Sequence, residues 1–404
     1  MAALKYWLWL TNVPGLTRRS CWQLLEHFES PEEIYYADEG HLLLVDGLSE
    51  EQRLRLQDKS LQRAEEILAQ CAAKDIFIVT VQDASYPHRL RNIYDAPILL
   101  YGKGAMPLFD EEAAITMVGT RKCTPYGIGT AEKLGYEIAK QGALLVSGMA
   151  EGIDAASMRG ALRAGGFVAA VLGGGVDVIY PPCNRRLYED VAATGVLLSE
   201  YPPGTPAEGW HFPIRNRILS GLSLGAVIVE APAGRSGALI TARTAMEQGR
   251  DVFAVPGPID SPMSRGCNEL IRDGAGLVMD GWDILSGYQS RFAHRLHSDQ
   301  TTLPQQAEPE AVQEPETEAV PVPTLPVLDL KRNKEGLTDD QIRIIQVLDT
   351  REGKLTDDVA EETALPVRRV LSALTVLEID GFAAQQSPRC FVRTVDLKDE
   401  KKRG

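Results

Sequence analysis

Between about residues 85 and 290, short apolar runs recur, and each ends in a glycine or a charged turn. They are AITMVGT (114–120), ALLVSG (143–148), GFVAAVLGG (166–174), GVLLSE (195–200), GAVIVE (225–230) and DVFAVPG (251–257). The apolar positions are continuous rather than alternating, which predicts strands buried on both faces. Helical stretches such as GTAEKLGYEIAKQG and SGALITARTAMEQG lie between them. Strand and helix in alternation predict an α/β body, a doubly wound and mostly parallel sheet. Its ligands belong outside the carboxyl ends of the strands.

The flanks follow other periods. Residues 1–80 read as short helices, with Gly15 in a turn and Leu16, Leu24, Leu25 and Phe28 at helical spacing after it. A Pro-Gly turn ahead of a helix either offers backbone N–H groups to a phosphate, as helix-hairpin-helix modules do, or is an ordinary corner. The opening MAALKYWLWLTNVPG has a single lysine and no small-residue cleavage site, so it reads as a core-facing helix rather than a signal peptide. Residues 298–334 form an acidic linker whose six prolines (304, 309, 315, 321, 323 and 326) preclude a packed core. From 335 to 397 a compact pattern returns. Thr338 and Gln341 form a capping box, TDDVAEET a second helix, and Pro366 opens a third with Val367, Val370, Leu371 and Leu374 as its stripe. Three helices followed by GFAAQQSPRCFVRTV predict a winged helix-turn-helix. Arg368 and Arg369 lie off that stripe, where they meet a DNA backbone unless the module dimerises or binds protein instead.

Composition adjusts this picture only slightly. The chain of 404 residues has a formal net charge of −14, and seven acids without a single Lys or Arg between 298 and 330 supply half of it. Acidity therefore says little against nucleic acid, whose binding needs only a local basic surface. Six cysteines without a CxxC pair suggest neither a zinc site nor a disulfide framework, and fit reduced thiols in a cytoplasm. No run approaches the roughly 20 apolar residues of a membrane span.

Candidate chemistry gathers at the strand ends. Gly119, Thr120, Arg121 and Lys122 follow the first parallel strand directly, and Ser147 and Gly148 repeat the idea at the second. Tight turns there expose N–H groups, and Thr and Arg side chains add donors for phosphate oxygens. Neither GxxxxGK[ST] nor GxGxxG is present. Arg215, Asn216 and Arg217 lead into a helix on the same side and are candidates for phosphate, with a salt bridge from Arg215 to Glu200 or Glu230 as the alternative for that residue. Ser236 and Gly237 start another helix, where Ser236 either binds phosphate or caps. Arg185 and Arg186 add charge, and Tyr126 and Tyr180 are either stacking partners for bases or packed loop residues. Asp154 and Asp177 read as a cap and a turn acid, and His211 as a packed loop residue. No catalytic residue, metal site or cofactor is expected.

The ordered set VGTRKCTPYG, VSGMAEGIDAASMRGAL, VLGGGVDVIYPPCNRRL, LLSEYPPG, FPIRNRILSGLS, SGALITARTAMEQGR, VFAVPGPID and GCNELIRDGA resembles the bacterial DNA-processing protein A family, DprA or Smf, over about 85–280. The ends resemble its sterile-alpha-motif-like front domain and its winged helix. The resemblance implies an extended Rossmann fold, a homodimer, binding of single-stranded DNA, protection of incoming DNA in natural transformation, and loading of the recombinase RecA. It places the family's DNA-binding arginine on Arg121. A second basic position, commonly lysine, is Pro182 here, with Arg185 and Arg186 close behind, and a usual histidine is Met158. Two other functions remain open: a Rossmann-like nucleotide hydrolase, whose PGGxGTxxE is absent, and a transcription regulator led by the winged helix.

Overall fold

The computed structural model describes residues 3–234, 236–298, 327–328, 337–350, 353–387 and 390–397. Nearly all of the acidic linker lies outside them. Six helices open the chain: α1 (Leu4–Asn12), α2 (Arg18–His27), α3 (Pro31–Tyr36), α4 (Glu39–Leu43), α5 (Glu50–Leu56) and α6 (Gln62–Ala73). Side chains set these short helices off: Thr17, Ser30, Asp38 and Ser49 each accept a backbone N–H at an N-terminus.

The α/β body then runs β1 (Phe77–Thr80), α7 (His88–Arg91), β2 (Leu99–Gly104), β3 (Ala114–Gly119), α8 (Pro125–Lys140), β4 (Leu144–Ser147), α9 (Ile153–Arg163), β5 (Val168–Val171), α10 (Arg185–Thr194), β6 (Val196–Ser199), α11 (His211–Leu222), β7 (Gly225–Val229), α12 (Gly237–Glu247), β8 (Asp251–Ala254), α13 (Arg265–Arg272), β9 (Gly276–Leu277) and α14 (Gly281–Leu285). These strands form one nine-stranded sheet in the order β1-β2-β6-β5-β4-β3-β7-β8-β9. From β6 to β9 all neighbours are parallel, while β2 pairs antiparallel with both β6 and β1. The six apolar runs of the sequence are β3 to β8, and β3 to β7 are buried along almost their whole length, as strands covered on both faces must be.

Two apolar layers sandwich the sheet. On one face Leu134, Ile138, Met158 and Val191 of α8, α9 and α10 meet Ile115, Leu145 and Val227. The helices α8 and α9 approach closely because a Cβ on Gly135 would stand 2.1 Å from Ser157 O, and one on Gly160 2.1 Å from Glu132 O. On the other face Ile218 and Leu222 of α11 join Val118 and Val146 in a core continuous with Trp7, Leu10, Leu24 and Ile67 of the front helices. The front helices thus have no separate core.

The chain divides into two compact units, Met1–Gln306 and Ala307–Gly404. The second holds helices Asp339–Val347, Thr356–Thr363 and Val367–Ile379 and the antiparallel strands Ala383–Ser387 and Cys390–Arg393, with Ile344, Val359, Val370, Leu374 and Phe391 in a core of its own. The capping box of Thr338 and Gln341 forms as expected. Arg369 pairs with Asp340, at 2.6 Å. Among the described residues no helix is long and apolar enough to cross a membrane, and no cluster of His, Cys, Asp or Glu has the makings of a metal site.

Candidate functional site

Strand order reverses beside β3: β4, β5 and β6 extend the sheet one way, and β7 and β8 the other. The turns after β3 and β7 therefore diverge and open a crevice at their carboxyl ends. Its volume is about 550 Å³, and its walls include Thr120, Arg121, Tyr180, Phe212, Asn216 and Gly237.

Glycine makes the floor possible. A Cβ on Gly119 would lie 2.0 Å from Val229 O, so only glycine lets β3 end against β7. The Thr120 N–H then donates to Glu230 O at 2.9 Å, and the Lys122 N–H to Thr120 Oγ1 at 3.2 Å. The Glu230 carboxylate accepts the N–H and hydroxyl of Thr124, the N-cap of α8, so it secures the far side of the turn. Between these anchors Arg121 and Lys122 stand exposed. The Arg121 guanidinium lies over the Phe212 ring at 4.8 Å, and Tyr180, 43 % exposed, packs on Phe212 with centroids 5.5 Å apart. Arginine over a ring keeps most of its donors free while the ring fixes its position.

Neither arginine of α11 stands exposed at the rim: Arg215 lines the crevice as a buried side chain, and Arg217 does not line it. Arg215 is buried; its Nη1 donates to Gly148 O at 2.9 Å and to Val171 O, which ties α11 to the ends of β4 and β5. Burial pulls its guanidinium down to about 10 against the opposing pull of Asp154. Burial likewise raises the Asp154 carboxyl, opposed by Arg215 and by backbone N–H groups, including that of Gly148 at 3.1 Å. Asp154 thus accepts a backbone N–H from the end of β4 and feels the charge of Arg215 nearby, rather than capping its own helix alone. Arg217 bonds Glu200 through Nη2, at 2.7 and 2.9 Å, and the Asp95 backbone carbonyl through Nε at 2.7 Å, while Arg18 joins Glu200 and the Asp95 carboxylate. The expected pairing is therefore exchanged: Arg217 holds Glu200, and Arg215 faces Asp154 and two carbonyls.

Of the other candidates, Ser147 is buried and donates to Met117 O at 2.7 Å, a bond between β4 and β3, and Gly148 lies beneath Arg215. Asn216 and Gly237 are on the crevice wall, as is Ser236, whose hydroxyl does not cap α12. Arg185 and Arg186 are exposed on the first turn of α10, placed by Asn184, which donates to Met149 O and Ala150 O at 2.9 and 3.2 Å. Pro182 is exposed just before them, and Met158 is fully buried in the sheet-facing side of α9. Tyr126 donates to Pro256 O at 2.8 Å, and Asp177 accepts from Gly204 N and Lys74. His211 is packed as expected, but as the first residue of α11 rather than in a loop; it is buried and stacked on Tyr201 at 4.0 Å. The residue that sequence reasoning passed over is Phe212. It sits in the first turn of α11, and nothing local in the sequence marks it.

These features define an open Rossmann-like protein with an arginine set on an aromatic platform at the switch point of its sheet. A family model described as DNA recombination-mediator protein A matches residues 77–289, and one described as DprA winged helix domain matches 329–387. The chain is similar to DNA processing protein DprA of Streptococcus pneumoniae, 44 % identical over 52 % of this chain and 73 % of that one. It is also similar to protein Smf of Synechocystis, 33 % identical over 94 % and 96 % of the two chains. The X-ray structure of the pneumococcal protein superposes with a TM-score of 0.60 at 37 % identity, covering 70 % of this chain and 97 % of that one. The chain belongs to the DNA processing protein A (DprA/Smf) family, with its mostly parallel sheet and its C-terminal winged helix.

Proposed function

We propose that the switch-point crevice binds single-stranded DNA without chemical conversion, and that the protein acts as a homodimer that shields incoming strands and assists their transfer to RecA. The observation that carries this reading is Arg121, exposed yet held at 4.8 Å over Phe212 beside Tyr180. A single strand needs backbone neutralisation and ring faces for its unpaired bases, and this arrangement brings both together from three segments of the chain. Lys122, Arg185 and Arg186 add exposed charge on the same ends of the sheet. The carboxylates that a nucleotide hydrolase would use already have partners: Asp154, which lines the crevice, accepts the Gly148 N–H beside Arg215, Glu230 accepts from Thr124, and Glu200 accepts from Arg217.

Matched single-stranded and duplex oligonucleotides, titrated at several salt concentrations, test it. Single strands should bind more tightly, and preference for duplex would overturn the reading. Arg121→Ala should weaken binding about equally for different sequences, because phosphate contacts carry no base code. It should also make the log–log salt slope shallower by about 0.7, the share of one phosphate on a single strand.

A further inference from the structure

Trp210 is 60 % exposed, whereas Trp7 and Trp9 are each 5 % exposed and Trp22 and Trp282 are partly buried. Its ring is nonetheless held. The indole N–H donates to a Glu208 carboxylate oxygen, and the ring stands edge-on against His211 with centroids 4.0 Å apart. His211 in turn stacks on Tyr201 and hydrogen-bonds Gly173 O through Nδ1 at 2.8 Å. An apolar face of this size, presented to solvent by a fixed support, is a platform without a covering partner among the described residues of its unit.

Its position is informative. Gly209 lines the switch-point crevice, and the next residue, Trp210, lines a second groove of about 450 Å³ between α2 and the ends of β2 and β6. One loop therefore separates the two. The second groove has Leu16, Tyr201 and Pro202 in its walls, and its charges are already balanced: Arg18 pairs with Asp95 at 2.9 Å and with Glu200 at 3.5 Å. Such a surface suits base faces and offers little to phosphates.

Resting on the crevice reading above, we infer that a single strand leaving the crevice past Gly209 stacks a base on Trp210, so that this groove is a second, non-ionic subsite for the same strand. Stacking on a ring is sequence-tolerant and involves no counterion release. The two subsites should therefore differ in length dependence and in salt dependence.

The test uses the full chain with oligothymidylates of about 4 and about 20 nucleotides. The long strand should quench the intrinsic fluorescence, and the short one should not. Trp210→Phe should lose most of that quench while keeping near-normal affinity, because phenylalanine still stacks; it also controls for folding. Trp210→Ala should lower affinity for the long strand about fivefold or more, leave the short strand unchanged, and leave the salt slope as it was. Wild-type affinity of Trp210→Ala for the long strand, or a quench that survives in Trp210→Phe, overturns the inference. If Arg121→Ala still weakens binding in that case, the crevice reading stands alone. An equal loss at both lengths also overturns it, placing Trp210 in the crevice itself. Failure of the wild-type chain to bind either strand removes both.

Discussion

Arg217 and Glu200 retain only 10 % and 13 % of their side-chain exposure, and a doubly hydrogen-bonded contact joins them. Removing one partner of such a pair leaves an uncompensated charge in a poorly solvated place. Arg217→Ala should therefore lower stability by about 3 kcal/mol while leaving the single-strand affinity of the folded fraction nearly intact. Thermal unfolding measured alongside DNA titration checks this, and a large affinity loss with unchanged melting would return Arg217 to the DNA. Arg215 and Arg217 lie two positions apart on one helix, so they point about 200° apart. That divergence is legible in the sequence, but the partner each one meets is not. Asp95 and Glu200 reach Arg217 only because β2 runs antiparallel beside β6, a pairing that nothing local announces. The glycine turn at 119 and the exposure of Arg121 were legible because a strand end followed by Gly-Thr-Arg has few other uses. Phe212 was not, since an aromatic at the start of a helix looks the same whether it faces a core or a guanidinium.

The elements themselves were readable where burial is continuous. Each of the six apolar runs is a strand, but β1, β2 and β9 escaped notice. β9 is two residues long, and β2 ends in Gly-Lys-Gly, which resembles a loop. Packing between elements gives a sharper test. At the crossing of α8 and α9, a methyl on Gly160 would meet the Glu132 carbonyl, so Gly160→Ala should cost about 2 kcal/mol by overpacking. An exposed glycine such as Gly129 should tolerate the same change, and the difference in melting temperature reads out the crossing. Asp177 joins three elements, taking Lys74 after α6 and the Gly204 N–H. Burial by itself pushes its carboxyl up, but Lys74 and the backbone N–H outweigh this and hold it below 3.8. The folded state thus binds fewer protons there than the unfolded chain. The contribution of Asp177 is complete above that value and fades as pH falls through the depressed one. The stability gap between the wild type and Asp177→Asn should be constant near neutral pH and should close below pH 3.8, as denaturant melts across that range would show.

At the scale of the molecule, the first unit has a core that runs from Trp7 through Leu100 to Ile228, whereas the winged helix has its own around Ile344 and Leu374. A chain ending at residue 298 should therefore fold and keep most single-strand affinity. One beginning at 77 should aggregate, because the apolar ground beneath α1 and α2 is stripped. Circular dichroism and light scattering on the two truncations distinguish these outcomes. The compositional break at 298 was visible in the sequence as a change from apolar runs to proline and acid. The fusion of the front helices with the sheet was not, because amphipathic helices show that they have an apolar face without showing what it covers. The sheet order has a consequence for biosynthesis. β3 is flanked by β4 and β7, yet β7 begins at Gly225, whereas β3 ends at Gly119. A ribosome adding about 5–20 residues per second leaves the middle of the sheet with one open edge for roughly 5–20 s. Throughout that interval the nascent chain presents the unpaired edge of a strand that is buried in the finished sheet, so chaperone cover during translation should matter more to its yield than its final stability does.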